Sequence, residues 1–316
     1  MAALAFVETD EGKVKKSSLE AVSYANAAAG DVTAIVFGQV SDIDGIGKAG
    51  ASKVLHVTDE KLATPNIMAY ASAIAEAMNQ EGSDLLVLAK SSLGDPVSAR
   101  VSIKVDAALA ANVADLPNTS GGYAVKKSIY TGKAFANTDL KGDKKIIIIK
   151  KNAVAVKEDG GSAEVIEFAP SLNDSDFTVK TTKVEKAEGD ILLPEADLVV
   201  SGGRGLKGPE NWGMIEDLAK TLGAATGCSK PVSDMDWRPH HEHVGQTGIK
   251  VSPSLYIAIG ISGAIQHLAG VNSSKYILVV NKDPEAPFFK AADYGVVGDA
   301  FDVVPKLTEA IKKAQG

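Results

Sequence analysis

Leu255-Tyr-Ile-Ala-Ile-Gly-Ile-Ser-Gly-Ala-Ile-Gln-His-Leu-Ala-Gly270, followed closely by Val280-Asn-Lys-Asp-Pro-Glu-Ala-Pro287, decides the fold of this chain. The apolar run from Leu255 to Ile261 reads as a buried strand, glycines then break it, and Ala264 to Ala269 reads as a short helix. A second apolar run, Lys275 to Val280, closes the unit as another buried strand. Strands joined through a helix imply a parallel sheet with right-handed crossovers. In open sheets of that kind, ligands bind outside the carboxyl ends of the strands. The unit sets polar side chains where a strand meets a helix.

Upstream, Ala196 to Val200 reads as a strand and Glu210 to Leu222 as a helix, and Ala300 to Lys313 reads as a closing helix. Together they predict a small doubly wound domain over residues 190–316. The first half alternates in the same way. Leu4 to Val7, Thr33 to Phe37, Lys53 to Val57 and Asp84 to Leu88 read as buried strands, and Ser17 to Ala29, Asn66 to Gln80 and Pro96 to Ala114 carry apolar residues at helical spacing. From about 122 to 183 the rhythm becomes β-rich, as in Lys145-Ile-Ile-Ile-Ile-Lys150, and predicts an extension or cap of the first sheet. The charged stretch from Lys183 to Asp190 is the expected linker, with a boundary near Gly189 and a first domain over 1–189. The predicted fold class is α/β with two doubly wound parallel-sheet domains.

Composition fits this reading. A chain of 316 residues suggests two domains at roughly 150 residues each. With 45% hydrophobic and 23% charged residues it has ordinary globular composition, and no apolar run approaches the roughly 20 residues that span a bilayer. A net charge of −7 argues against nucleic acid as a partner. The lone Cys228 excludes a disulfide scaffold. The start, Met1-Ala-Ala-Leu-Ala-Phe-Val-Glu-Thr-Asp10, turns acidic at once and is expected to be the first strand of a cytoplasmic protein.

Two segments match G-x-G-x-x-G. Gly45-Ile-Gly-Lys-Ala-Gly50 runs almost directly into the strand at Lys53, which leaves no room for a following helix and predicts a loop. Gly203-Arg-Gly-Leu-Lys-Gly208 follows a strand, with Pro209 at the expected first helical position. There glycines would let backbone approach phosphates, the helix start would favour an anion, and Arg204 would add a forked cation. Cys228-Ser-Lys-Pro231, Val244-Gly-Gln-Thr-Gly248, Ser262-Gly-Ala-Ile-Gln-His267 and Asn281-Lys-Asp283 place further hydroxyls, amides and cations at turns after strands. Singly each is an ordinary turn, and together they suggest a large polar ligand.

Ser201-Gly-Gly-Arg-Gly-Leu-Lys207, Val244-Gly-Gln-Thr-Gly248, the 255–270 segment, Asn281-Lys-Asp-Pro-Glu-Ala-Pro287 and Ala292-Asp-Tyr-Gly295, in that order, resemble the alpha subunits of electron-transfer flavoproteins. In the first half the resemblance rests on Lys53-Val-Leu, Ser92-Leu-Gly-Asp95 and a hairpin around Thr131-Gly-Lys-Ala134. The resemblance implies FAD in a Rossmann-like C-terminal domain and a first domain packed on a homologous beta subunit. It implies cofactor contacts at Arg204, Ser229, Lys230, Val244, Gly245, Gln246, Thr247, Ser262, Gly263, Ala264, Ile265, Gln266, His267, Asn281 and Asp299. His267 would meet the flavin C2 carbonyl and Thr247 the flavin N5, with Asn281 and Asp299 at the adenosine end. Lys230 stands where many relatives carry arginine. A cation about 4 Å away at an effective dielectric near 20 is worth on the order of 4 kcal/mol, and losing the planar fork is expected to weaken stabilisation of the one-electron-reduced flavin.

The implied function is an electron carrier without a substrate of its own. It would take electrons from flavin dehydrogenases such as acyl-CoA dehydrogenases and pass them to a membrane quinone oxidoreductase. Alternatives are an electron-bifurcating or NAD(P)-linked subunit, and a ligand-free binding subunit. Arg238-Pro-His-His-Glu-His243 has metal-ligand chemistry, but adjacent loop residues seldom converge on one ion, so a solvated loop and no metal are expected.

Overall fold

The structure, a computed structural model, describes residues 1–130, 134–183 and 192–315. It divides into two compact units, Met1–Val184 and Glu185–Gly316, each built on its own sheet. The expected boundary near Gly189, most of the charged stretch before it, and residues 131–133 of the expected hairpin lie outside the described residues.

The first unit begins with β1 (Ala2–Val7), a small hairpin of β2 (Thr9–Asp10) and β3 (Lys13–Val14), α1 (Lys16–Ala29), β4 (Asp31–Phe37), α2 (Asp44–Lys48) and β5 (Lys53–Val57). It continues with α3 (Ile67–Gln80), β6 (Leu85–Ala89), α4 (Gly94–Val105), β7 (Ala108–Val113), β8 (Ala124–Ile129), β9 (Ala134–Asp139), β10 (Lys145–Ile149) and β11 (Glu164–Glu167). Nine described strands form one sheet in the order β11-β5-β4-β1-β6-β10-β7-β8-β9, parallel except for the β7-β8-β9 edge. Along β1, Ala3, Ala5 and Val7 pack with α1 residues such as Val22 and Tyr24 on one face. Leu4 and Phe6 pack with α3 and α4 residues such as Ile74 and Val101 on the other. A strand buried on both faces is apolar without alternation, which is why its sequence is a continuous run.

Three expectations change here. Pro96 to Ala114 is not one helix: Asp106 takes a left-handed conformation (φ 52°) and ends α4, and the alanine-rich remainder is strand β7. Alanine's helix preference misled the reading, and pairing with β10 overrode it. The β-rich segment does more than extend or cap the sheet, because β10 lies within it, parallel to both β6 and β7. The Gly45 motif is not a plain loop: the short α2 runs through it, and Gly47 sits where a Cβ would come within 2.6 Å of the Ala163 backbone nitrogen.

The second unit comprises β12 (Leu198–Gly202), α5 (Gly213–Leu222), β13 (Ala225–Cys228), α6 (Lys230–Asp234), β14 (Leu255–Ile259), α7 (Ile265–Val271), β15 (Tyr276–Asn281), β16 (Tyr294–Val297) and α8 (Ala300–Gln315). The sheet is parallel throughout, in the order β13-β12-β14-β15-β16. In order of appearance this is 2-1-3-4-5, a doubly wound order whose switch point lies between its first and third strands, here β12 and β14. Alternation along β14 builds both layers. Tyr256 and Ala258 enter a core with Val244, Val271 and Phe288, and Ile257 and Ile259 enter one with Trp212, Leu218 and Val304.

Candidate functional site

At the switch point the chain leaves β12 and β14 through two turns that touch. The Gly203 amide donates to the Ile259 carbonyl (2.9 Å) and the Gly205 amide to the Gly260 carbonyl (3.0 Å). A Cβ on Gly203 would stand 2.3 Å from the Gly260 oxygen, and one on Gly205 2.6 Å from the Gly260 Cα. These glycines therefore serve the crossing of two turns. The expected helix start is corrected: Pro209 opens a 3₁₀ turn, Pro209–Asn211, and α5 begins only at Gly213.

The crossing leaves a cleft of about 690 Å³ at the carboxyl ends of β12, β13, β14 and β15, within the roughly 300–1,000 Å³ of small-molecule sites. Twelve of the residues expected at a cofactor line it: Arg204 from the first turn, Ser229 and Lys230 after β13, Val244, Gly245, Gln246 and Thr247, Ser262, Ala264, Gln266 and His267 around α7, and Asn281 at the end of β15. Three others stand back from the lining. Gly263 packs on the Phe288 backbone, Ile265 is exposed, and Asp299 caps the start of α8 through the Phe301 amide (3.0 Å) while facing Lys207 at 3.9 Å.

Backbone bonds hold the lining together. The Val244 amide donates to the Cys228 carbonyl (2.9 Å), the Gln246 amide to the Gln266 carbonyl (2.7 Å), and the Ser229 amide to the Gly202 carbonyl (3.0 Å). The 244–247 turn is thereby tied to both β13 and α7. Asn281 spends its side chain inside the fold, donating to the Ile261 carbonyl (3.0 Å) and accepting from the Asp283 amide (3.1 Å).

The cleft is cationic in an acidic protein. Arg204, Lys207, Lys230 and Lys282 line it against one carboxylate, Asp283. Arg204, Lys230 and Lys282 have no ion-pair partner among the described residues, so their charges are available to an anion. Lys230 is exposed, so water screening holds its effect below the roughly 4 kcal/mol that applies at a dielectric near 20.

His267 forms part of the wall and is buried. Its Nε2 shares a hydrogen bond of 2.8 Å with Tyr256 Oη, and Phe288 packs against it edge-on at 5.7 Å. Burial, reinforced by the neighbouring His243, pushes its pKa down to about 4, although the nearby Val244 carbonyl opposes the shift. The imidazole is therefore neutral at ordinary pH. Nδ1 is buried and, although that carbonyl lies near enough to act on the ring, makes no well-formed hydrogen bond among the described residues.

The 238–243 segment differs from the solvated loop expected of it. Arg238 donates to Glu242 through Nε (2.9 Å) and to Glu216 through Nη1 (2.9 Å), and lies over the Trp212 ring. Glu242 and His243 are buried, and His243 lines the cleft beneath the 244–248 turn. No group of three potential metal ligands occurs among the described residues. Cys228 is buried in the core with its thiol pushed up to about 12 by desolvation, the state of an inert packing residue. Sequence reasoning missed Lys207, His243, Gly260 and Lys282 in the lining. Both lysines stood within motifs already singled out, whereas nothing local marked His243 as buried.

Comparison with known proteins gives one consistent answer. Residues 192–272 match the model of the electron transfer flavoprotein FAD-binding domain, and residues 3–173 match that of the electron transfer flavoprotein domain. The electron transfer flavoprotein subunit alpha of Syntrophomonas wolfei is 38% identical over 312 residues, covering 98% of each chain. The Bacillus subtilis protein of the same name is 36% identical over 97% of this chain and 96% of its own. The probable mitochondrial subunit alpha of Caenorhabditis elegans is 35% identical over 98% and 93%.

Proposed function

The chain belongs to the electron transfer flavoprotein alpha-subunit family, and on that premise we propose that it is the FAD-carrying subunit of a heterodimeric electron carrier. Its cofactor is FAD. The beta subunit that an alpha-subunit family implies is its permanent partner, and the first unit supplies the surface that meets it. No helix of the described residues is long and apolar enough to cross a membrane. We place its action in the cytoplasm, with a membrane quinone oxidoreductase as an external acceptor.

One observation carries the flavin reading: a cationic cleft at the switch point, walled by a neutral buried histidine. A ligand bearing both an anionic pyrophosphate and a polar ring fits a cleft of this size lined by four cations and several hydroxyl and amide groups. Bound FAD supplies reversible one- and two-electron chemistry. The chain's residues supply the rest. Arg204 and Lys282, free of ion pairs among the described residues, neutralise phosphate charge. Ser229, Gln246, Thr247 and Ser262 offer donors and acceptors that orient a ring. His267 offers a neutral imidazole at the wall, and the backbone ties between the 244–247 turn, β13 and α7 keep these groups in register.

The carrier role is tested by mixing the FAD-loaded heterodimer with a substrate-reduced acyl-CoA dehydrogenase. Reduction of the heterodimer's flavin within turnover time is expected. Reduction by NADH alone, with no response to the dehydrogenase, would place the protein with nicotinamide-linked enzymes.

A further inference from the structure

Three features near the cleft are not used by the reading above: the Arg238 clasp, the buried His243, and Tyr256, a tyrosine with 0% exposure in the middle of β14. We propose that Tyr256 is a positioning residue for His267: its hydroxyl donates to Nε2 and so holds the imidazole as the neutral Nδ1–H tautomer.

The assignment follows from counting hydrogens. A neutral imidazole has one N–H and one lone pair, and the hydrogen bond made at one nitrogen fixes the role of the other. Burial raises the Tyr256 pKa, so the phenol keeps its hydrogen and must place it somewhere. The Ser201 hydroxyl lies close enough to act on the phenol but makes no well-formed hydrogen bond, whereas His267 Nε2 stands at 2.8 Å and is the better-placed acceptor. In the reverse arrangement Nε2–H would donate to Tyr256. A buried imidazole lone pair would then be turned toward the Val244 carbonyl, whereas the proposed arrangement presents Nδ1–H to it.

The surroundings agree. The carbonyl of Val244 lies beside the imidazole, an acceptor that favours a facing N–H and repels a lone pair. Phe288 holds the ring edge-on, and His243, the neighbouring titratable group that acts on it, disfavours a second proton. The imidazole is thus neutral, with Nδ1 as its donor nitrogen.

Resting on the FAD reading, the consequence is electronic. Reduction adds electron density to the flavin, and a donor nearby favours that state while a lone pair opposes it. Tyr256 acts on the cofactor only through His267, out of the cleft lining and one turn of chemistry removed.

The test uses the full chain co-expressed with its beta subunit, loaded with FAD and labelled with ¹⁵N-histidine. Two-bond ¹⁵N–¹H spectra report the tautomer of each of the five histidines, and His267 is assigned by the signal missing in His267→Gln. An ordinary net hydrogen bond corresponds to about tenfold in such a ratio. The wild type is expected to favour Nδ1–H by at least about that factor, and Tyr256→Phe to lose the preference and lower the midpoint potential of the bound flavin. An Nε2–H tautomer in the wild type, which needs no variant to fold, overturns the proposal, as does an unchanged ratio in Tyr256→Phe. FAD missing from both proteins would overturn the flavin reading beneath it, an outcome read separately from the visible spectrum of the same samples.

Discussion

At the scale of single residues, His267 carries the clearest pH signature. Its pKa falls from 6.5 in the unfolded chain to about 4 when folded. Between these values the unfolded state binds more protons than the folded one, so stability is present above pH 6.5 and is lost as pH falls toward 4. At about 1.4 kcal/mol per unit, the loss approaches 3 kcal/mol across that interval. Denaturant unfolding of the full chain between pH 7 and pH 4 is expected to show this decline, and His267→Gln to flatten it. An equal decline in the variant would assign the effect to other groups. The histidine itself was legible in the sequence because it stands just inside a helix after a glycine turn. Its partner was not: Tyr256 lies eleven residues earlier in an apolar strand, where a tyrosine reads as core and only the packing of α7 on β14 reveals the hydrogen bond.

Among elements, the meeting of the β12 and β14 turns governs whether the cleft exists. Gly203 needs no unusual backbone angle, yet a Cβ there would stand 2.3 Å from the Gly260 carbonyl oxygen. Overpacking of this kind costs typically about 1–3 kcal/mol, and the strain falls where the cleft opens. Gly203→Ala is expected to weaken FAD binding by about tenfold or more, read by equilibrium dialysis. Gly213→Ala, whose Cβ would meet nothing within 4 Å, is the matched control and is expected to bind as the wild type does. Equal binding by both variants would refute the assigned role of the crossing. A glycine motif announces close approach without naming the partner, and here it is another turn as well as the cleft. Short elements were the least legible. β13 is four residues with a glycine inside, β16 is four exposed residues, and neither gives a periodic signal. β7 was hidden because alanines suit a helix locally, and its strand pairing with β10 is a long-range fact.

For the whole molecule, the sequence carried the architecture because parallel strands buried on both faces are written as continuous apolar runs, as in Leu255–Ile259 and Lys145–Ile149. It did not carry strand order: nothing near Lys145 says that β10 belongs between β6 and β7. Charge shows the same division between composition and place. A chain with net charge −7 concentrates Arg204, Lys207, Lys230 and Lys282 around one cleft, so its average argues against polyanions while its site is locally cationic. The claim that this cleft holds FAD is tested most directly by the visible spectrum of the full chain purified with its beta subunit and offered FAD. Flavin absorption equivalent to one FAD in the cleft, bleached on reduction and retained less firmly in Gly203→Ala than in Gly213→Ala, is the predicted result. A colourless complex that takes up no added FAD would contradict the account.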